Sequence, residues 1–141
     1  MKNLRYFLLA FTALSMTTSA YAQQTNVKAS VPFDFVVGNQ AYAAGEYSIK
    51  TEGVGDRVLR IDNTADASSA MVLSDTCVKL EPSDKTKLVF HRVGDSYFLY
   101  QVWRAGNSEG REFPISRSEL LLTYNHPGTE ETIIIAANIS H

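Results

Sequence analysis

The chain predicts an all-β domain, a single antiparallel β-barrel or β-sandwich of about seven strands with one short helix near 116–123. Three observations carry that prediction. Residues Val27 to Val37 alternate between inward apolar and outward positions with period two. The runs Lys87–Val93 and Ser96–Arg104 flank a two-residue Gly94-Asp95 turn. Further β-branched and aromatic runs recur at short spacing, with Gly, Asn, Asp and Pro between them.

In the first run Val27, Ala29, Val31, Phe33, Phe35 and Val37 share one phase and form the inward side of a half-buried strand. Pro32 has no N–H to offer a neighbour, which predicts an edge strand or a bulge at that point. Gly38-Asn39 supplies a turn. Gly45 opens a second strand with Tyr47, Ile49 and Thr51 inward, and Gly53-Val54-Gly55-Asp56 closes it. Arg57 to Asp62 is a third, with Leu59 and Ile61 inward, and Asn63 to Ala67 is a loop.

Ala70 to Leu80 is apolar enough for a strand, but its parity breaks: Met71 and Leu73 share one phase, Val78 and Leu80 the other. One extra residue near Ser74-Asp75-Thr76 would reconcile the two as a β-bulge.

The Gly94-Asp95 turn fits type II′ geometry and sets a register for the hairpin around it. Val93 then faces Ser96, Phe90 faces Leu99 and Leu88 faces Gln101, while His91 faces Phe98 and Val89 faces Tyr100 on the other side. Both faces are apolar or aromatic, so the hairpin belongs centrally between packed layers or in a closed barrel. Trp103 falls on the Phe90 side as a core anchor.

Ala105 to Phe113, with Gly106, Asn107, Ser108 and Gly110, reads as a polar loop. Ser116 followed by Glu119 and Leu120-Leu121-Leu122 is a capping box opening a helix, against a competing strand from Glu119 to Tyr124. After the Asn125-His126-Pro127-Gly128 turn, Thr132 to Ile139 is a β-branched strand with Ile133, Ile135 and Ala137 in one phase.

Several of these runs resemble a family of small exported bacterial proteins of unknown function. They are Val31-Pro32-Phe33-Asp34-Phe35, Ala44-Gly45-Glu46-Tyr47, the stretch Leu88 to Leu99 with Gln101-Val102-Trp103, and Gly110-Arg111-Glu112 leading to Ser116-Arg117. The sequence departs from that pattern at Ala43, where the family has proline, and at Ser118-Glu119-Leu120, where it has a more basic run. The resemblance implies export but no activity, cofactor or catalytic residue.

Export is also expected from the N-terminus. Lys2 and Arg5 precede an apolar run from Tyr6 to Met16, and Ala20-Tyr21-Ala22 offers a small-x-small cleavage site, the layout of a signal peptide over residues 1–22. The run is short for a membrane span, which needs roughly 20 apolar residues. No cysteine stands at the cleavage site to accept a lipid, and no twin arginine precedes it. Residues 23–141 are then one β domain, periplasmic or secreted, soluble and without stable membrane insertion. A transmembrane barrel is disfavoured by His141 in place of a terminal aromatic and by strands shorter than roughly 9–11 residues.

The formal charge of −2 is spread along the chain, without the basic stripe that nucleic-acid binding requires. Cys77 is the only cysteine, so it forms no disulfide within the chain. Its readings are an inert buried thiol, a redox thiol or a bridge between chains. No nucleophile elbow, phosphate loop or His-Glu-x-x-His motif occurs.

His91, His126 and His141 lack a spacing that places two on one face, so neither catalytic residues nor metal ligands nor cofactors are predicted. Asp34 and Glu46 fall on outward phases, as solvated charges. Two candidate surfaces are left. His91, Phe98 and Tyr100 would form an aromatic contact surface if the helix or another sheet does not cover them. Arg104, Arg111 and Arg117 would offer planar forks to an anion, in competition with Glu109 and Glu112. The function expected is a non-enzymatic envelope module that binds a partner protein or surface, with a small-ligand carrier or an enzyme as alternatives.

Overall fold

The computed structural model describes residues 26–53 and 55–140. The expected signal peptide over 1–22, Val54 and His141 lie outside the described residues. Among the described residues there are twelve short strands and one helix: β1 (Asn26–Val31), β2 (Phe35–Val37), β3 (Gln40–Tyr42), β4 (Gly45–Glu52), β5 (Val58–Asn63), β6 (Ser69–Leu73), β7 (Asp75–Val78), β8 (Lys87–Val93), β9 (Ser96–Trp103), β10 (Glu109–Glu112), α1 (Arg117–Asn125), β11 (Glu130–Ala136) and β12 (Asn138–Ser140). They form two sheets, one ordered β12-β1-β4-β5-β6 and the other β11-β8-β9-β10-β7, with β2 and β3 attached to the second through β9. Of the two architectures expected, the sandwich is the one adopted. No helix among the described residues is long and apolar enough to cross a membrane.

The count exceeds seven because the chain repeatedly changes sheet. The alternating run from Val27 is split at Pro32: β1 pairs with β4 and β12 in one sheet, and β2 pairs with β3 and β9 in the other. Pro32 therefore marks neither an edge strand nor a bulge. Its missing N–H falls at the corner where ladder pairing has stopped. The phase survives the corner, with Val27, Ala29, Val31, Phe35 and Val37 all buried.

Ser74 is a second corner. β6 pairs with β5 and β7 with β10, so the parity break between Met71/Leu73 and Val78 is a passage between sheets, not a bulge. Buried Ser74 spends its polar groups on the passage, its N–H and hydroxyl both donating to the Arg57 carbonyl at 2.8 and 3.1 Å. The third crossing lies between β11, which borders β8, and β12, which borders β1.

The β8–β9 hairpin forms as expected, with β9 ending one residue early at Trp103, and Gly94 takes φ +61° in its turn. Its register departs from the simple one beyond Phe90↔Leu99, because a bulge leaves Tyr100 without a partner on β8. Val89 then faces Gln101, Leu88 faces Val102 and Lys87 faces Trp103. An extra residue flips the face of everything after it. Trp103 consequently stands on the His91 side of the sheet, opposite to Phe90, although it is as buried as expected. Residues 109–112, read as part of a loop, form β10 between β7 and β9. Gly110 is required there, since a Cβ would lie 2.8 Å from the Trp103 ring.

Between the sheets Val27, Ala29, Val31, Tyr47, Ile49, Leu59 and Ile61 meet Phe35, Leu88, Phe90, Leu99, Val102 and Phe113. An aromatic cluster belongs to this core: Phe35 approaches Tyr42, Tyr47 and Phe90 at 5.2, 5.1 and 5.5 Å, and Phe33 stacks on Tyr97 at 3.8 Å. Aromatic pairs at these separations add about 0.5–1.5 kcal/mol each beyond the area they bury. The outer face of the first sheet carries an ion-pair group, with Asp62 bridging Arg60 at 2.8 Å and Lys50 at 3.7 Å.

Candidate functional site

The outer face of the second sheet carries the chemistry. Pairing aligns Thr132 with His91 and His91 with Phe98 across β11, β8 and β9. Val89, Val93, Phe98 and Trp103 on this face are buried outside the main core. Helix α1 packs against β8, and the Lys79 ammonium lies 4.1 Å from the centre of the Trp103 ring. This coverage settles where the expected aromatic surface stands. Phe98 is only 3% exposed and takes no part in an outer contact, while His91 and Tyr100 are half-buried and stack on each other at 4.0 Å.

The helix arises as the sequence suggests and does something the sequence does not announce. Ser116 is its N-cap, and the hydroxyl accepts the Glu119 N–H at 3.1 Å. In a capping box the Glu side chain reaches back to the cap N–H. Here the Glu119 carboxylate turns down onto the sheet instead, with Oε1 2.7 Å from His91 Nδ1. Glu130, at the start of β11, brings its Oε1 to 3.5 Å from the same nitrogen. One imidazole and two carboxylates from a strand, a helix and a second strand thus converge, their ligand-type atoms all within 4.8 Å of one another. Glu119 and His91 are largely shielded, and Glu130 opens the group to solvent.

Glu119 and Glu130 were not candidates in the sequence. The sequence presents Glu119 as a capping residue, and Glu130 precedes the apolar phase of its strand. Only the pairing of β11 with β8 and the seating of α1 bring them to His91. The single available signal is a glutamate at the third position of a helix that, with another sheet as the alternative, stands as a cover for the hairpin.

Beside this group runs a polar chain. The Trp103 indole donates to Gln101 Oε1 at 2.9 Å, and Gln101 Nε2 donates to Glu112 Oε2 at 2.8 Å. Burial, and then the charge of Glu112, pushes the Tyr100 phenol above its usual value. Burial, followed by the same carboxylate, also pushes the Cys77 thiol up. A raised thiol pKa lowers the thiolate fraction on which nucleophilic and redox chemistry depends.

The arginines divide. Arg104 and Arg111 line a cavity of about 90 Å³ between the sheets, together with Val27, Ile49, Leu59 and Val102. Asp56 and Glu109 line it too, and Arg111 donates to the Thr76 hydroxyl at 3.0 Å. Arg117 is exposed at the start of α1 and does not line that cavity. Asp34 caps a turn, accepting the Ala44 N–H at 2.8 Å, and Glu46 is exposed. His126 is the C-cap of α1.

The outer side of α1 exposes three large apolar residues beside Arg117, Ser118 and Asn125. Leu120 and Leu121 are more than half exposed and Tyr124 is 84% exposed, with Ile115 just before the helix and Ile134 on the neighbouring strand also half exposed or more. A second exposed apolar group, Met71, Leu73, Val78 and Leu80, flanks the Ser74 corner. Comparison with known proteins finds no matching family model, no matching curated protein and no matching solved structure.

Proposed function

We propose that the chain is an exported, non-enzymatic domain of the bacterial envelope, periplasmic or secreted, that binds a partner protein through the outer side of α1. The observation that carries this reading is the exposure of Leu120, Leu121 and Tyr124 on a helix whose inner side is tied to the sheet by Glu119. Exposed apolar clusters on a fixed element mark partner sites, and Tyr is among the residues enriched at binding hot spots. The signal-like N-terminus and the resemblance to small exported bacterial proteins support the compartment.

The non-enzymatic reading draws on the hydrogen bonding. Among the described residues no serine or cysteine is hydrogen-bonded to a histidine, as an activated nucleophile would be. The space between the sheets does not support a carrier that encloses its ligand in the core, since the inter-sheet cavity of about 90 Å³ is well below the roughly 300–1,000 Å³ of ligand pockets.

The test is site-specific photo-cross-linking in the native envelope, with the probe placed in turn at Leu121, Tyr124 and Leu80. Adducts of one defined mass at 121 and 124 but not at 80 are expected. Adducts at 80 alone, or none at the helix positions, would overturn the reading.

A further inference from the structure

We propose that His91, Glu119 and Glu130 form a binding site for a divalent transition-metal ion of the zinc type, placed between α1 and the second sheet. The inference does not depend on the docking reading of α1.

Charge supplies the first argument. Two carboxylate oxygens converge on one imidazole nitrogen, and among the described residues no lysine or arginine forms an ion pair with either glutamate. With the imidazole neutral the group carries two negative charges, one of them on a glutamate that is only 6% exposed. Buried charge requires a compensating partner, and a divalent cation neutralises this set where a single proton on His91 would leave it negative.

Geometry supplies the second. Ligand atoms bound to zinc at 2.0–2.2 Å in a tetrahedron stand about 3.3–3.6 Å apart. The separation of 3.5 Å between His91 and Glu130 meets this as it stands. The 2.7 Å hydrogen bond between His91 and Glu119 needs to open by roughly 0.6–0.9 Å. Three protein ligands leave a fourth position on the solvent side, where Glu130 is about half exposed. Mixed imidazole and carboxylate ligation suits zinc and its neighbours, while the hard calcium and magnesium ions take oxygen sets.

The surroundings supply the third. The Tyr100 ring stacked on His91 at 4.0 Å fixes the imidazole plane, and the Ser116 cap fixes the turn that delivers Glu119. Such supporting contacts are what hold metal ligands in place.

The experiment is calorimetric titration of the chelator-treated, purified full chain with Zn²⁺, with Co²⁺ absorption as the spectroscopic probe of ligand set. One equivalent of Zn²⁺ is expected to bind and to raise the thermal midpoint by linkage. The decisive variant is Glu130→Gln, which alters an exposed residue and leaves the buried pair intact. It should keep the metal-free midpoint and lose about tenfold or more in Zn²⁺ affinity. His91→Asn should abolish the Co²⁺ bands, and His126→Asn should leave binding unchanged. Absence of saturable binding to the wild-type chain, or binding that survives Glu130→Gln, would overturn the assignment.

Discussion

Single residues already show where the molecule spends stability. The Tyr42 hydroxyl is buried without a hydrogen-bond partner among the described residues, although its ring packs on Phe35 and Tyr47. An unpaired buried hydroxyl costs about 1–3 kcal/mol, whereas its removal leaves the ring contacts in place. Tyr42→Phe is therefore expected to stabilise the fold by about 1 kcal/mol, read as a higher urea midpoint at unchanged slope. A lower midpoint would mean the hydroxyl has a partner. Tyr47 shows the opposite arrangement, its hydroxyl donating to the Ala43 carbonyl at 2.6 Å and accepting from Asn63 at 3.3 Å. Nothing in the sequence separates these two tyrosines, because their difference lies in whether a loop carbonyl comes within reach of the hydroxyl.

At the scale of elements, local chemistry was legible and partnership was not. The β8–β9 hairpin could be read from a glycine turn and alternation, and α1 from Ser116 and Glu119, because both signals act within a few residues. Pro32 and the parity break at Ser74 were visible as irregularities. Their meaning was not, since a period-two pattern reports which side of a strand is buried but not which ladder the strand joins. The Tyr100 bulge escaped for a related reason, because it is set by the neighbours of β9 rather than by its own sequence. The candidate site depends on which strand β11 joins and where α1 is seated, so of its three residues only His91 stood out beforehand.

The cap makes α1 testable as an element. Ser116→Ala removes the acceptor of the Glu119 N–H and should cost about 1 kcal/mol. Because that turn also delivers Glu119 to His91, amide exchange should accelerate in α1 while the buried strands β4 and β5 keep their protection. Uniform acceleration throughout the domain would show that the helix does not open on its own.

For the whole molecule, ionisation sets a window of stability. Burial, and the Asp66 and Asp34 charges beyond it, raises Tyr47 against the lowering effect of its Asn63 hydrogen bond. Burial chiefly raises Tyr42, Tyr100 and Cys77 as well. The folded state then holds these protons more tightly than the unfolded chain. Their contribution is complete below the unfolded pKa values, about 8.5 for the thiol and 10 for the phenols, and is lost as pH rises through the folded values. Asp62 works in the other direction. Burial would raise it, but hydrogen bonds from Arg60 and Ser69 and the charges of Arg60 and Lys50 hold it low. The hydrogen bonds made by Ser68 likewise lower Asp66. Stabilisation from both carboxylates is present above about pH 4 and lost as pH falls through their folded values. The urea midpoint should therefore be flat between about pH 5 and 8 and fall on either side. A midpoint that climbs above pH 9 would contradict the burial of these phenols.

The passage of residues 130–140 along β8 and then along β1 also has a consequence in time. The first strand finds its β12 partner only after nearly the whole domain lies between them. Closing so long a loop is entropically costly, and folds dominated by such distant pairings form in milliseconds to seconds rather than microseconds. Until that step β1 and β8, which lie inside their sheets in the finished fold, each have an unpaired ladder on one side. The speed of this single closure decides how long the chain presents the ladders of β1 and β8 to other molecules before β12 and β11 cover them.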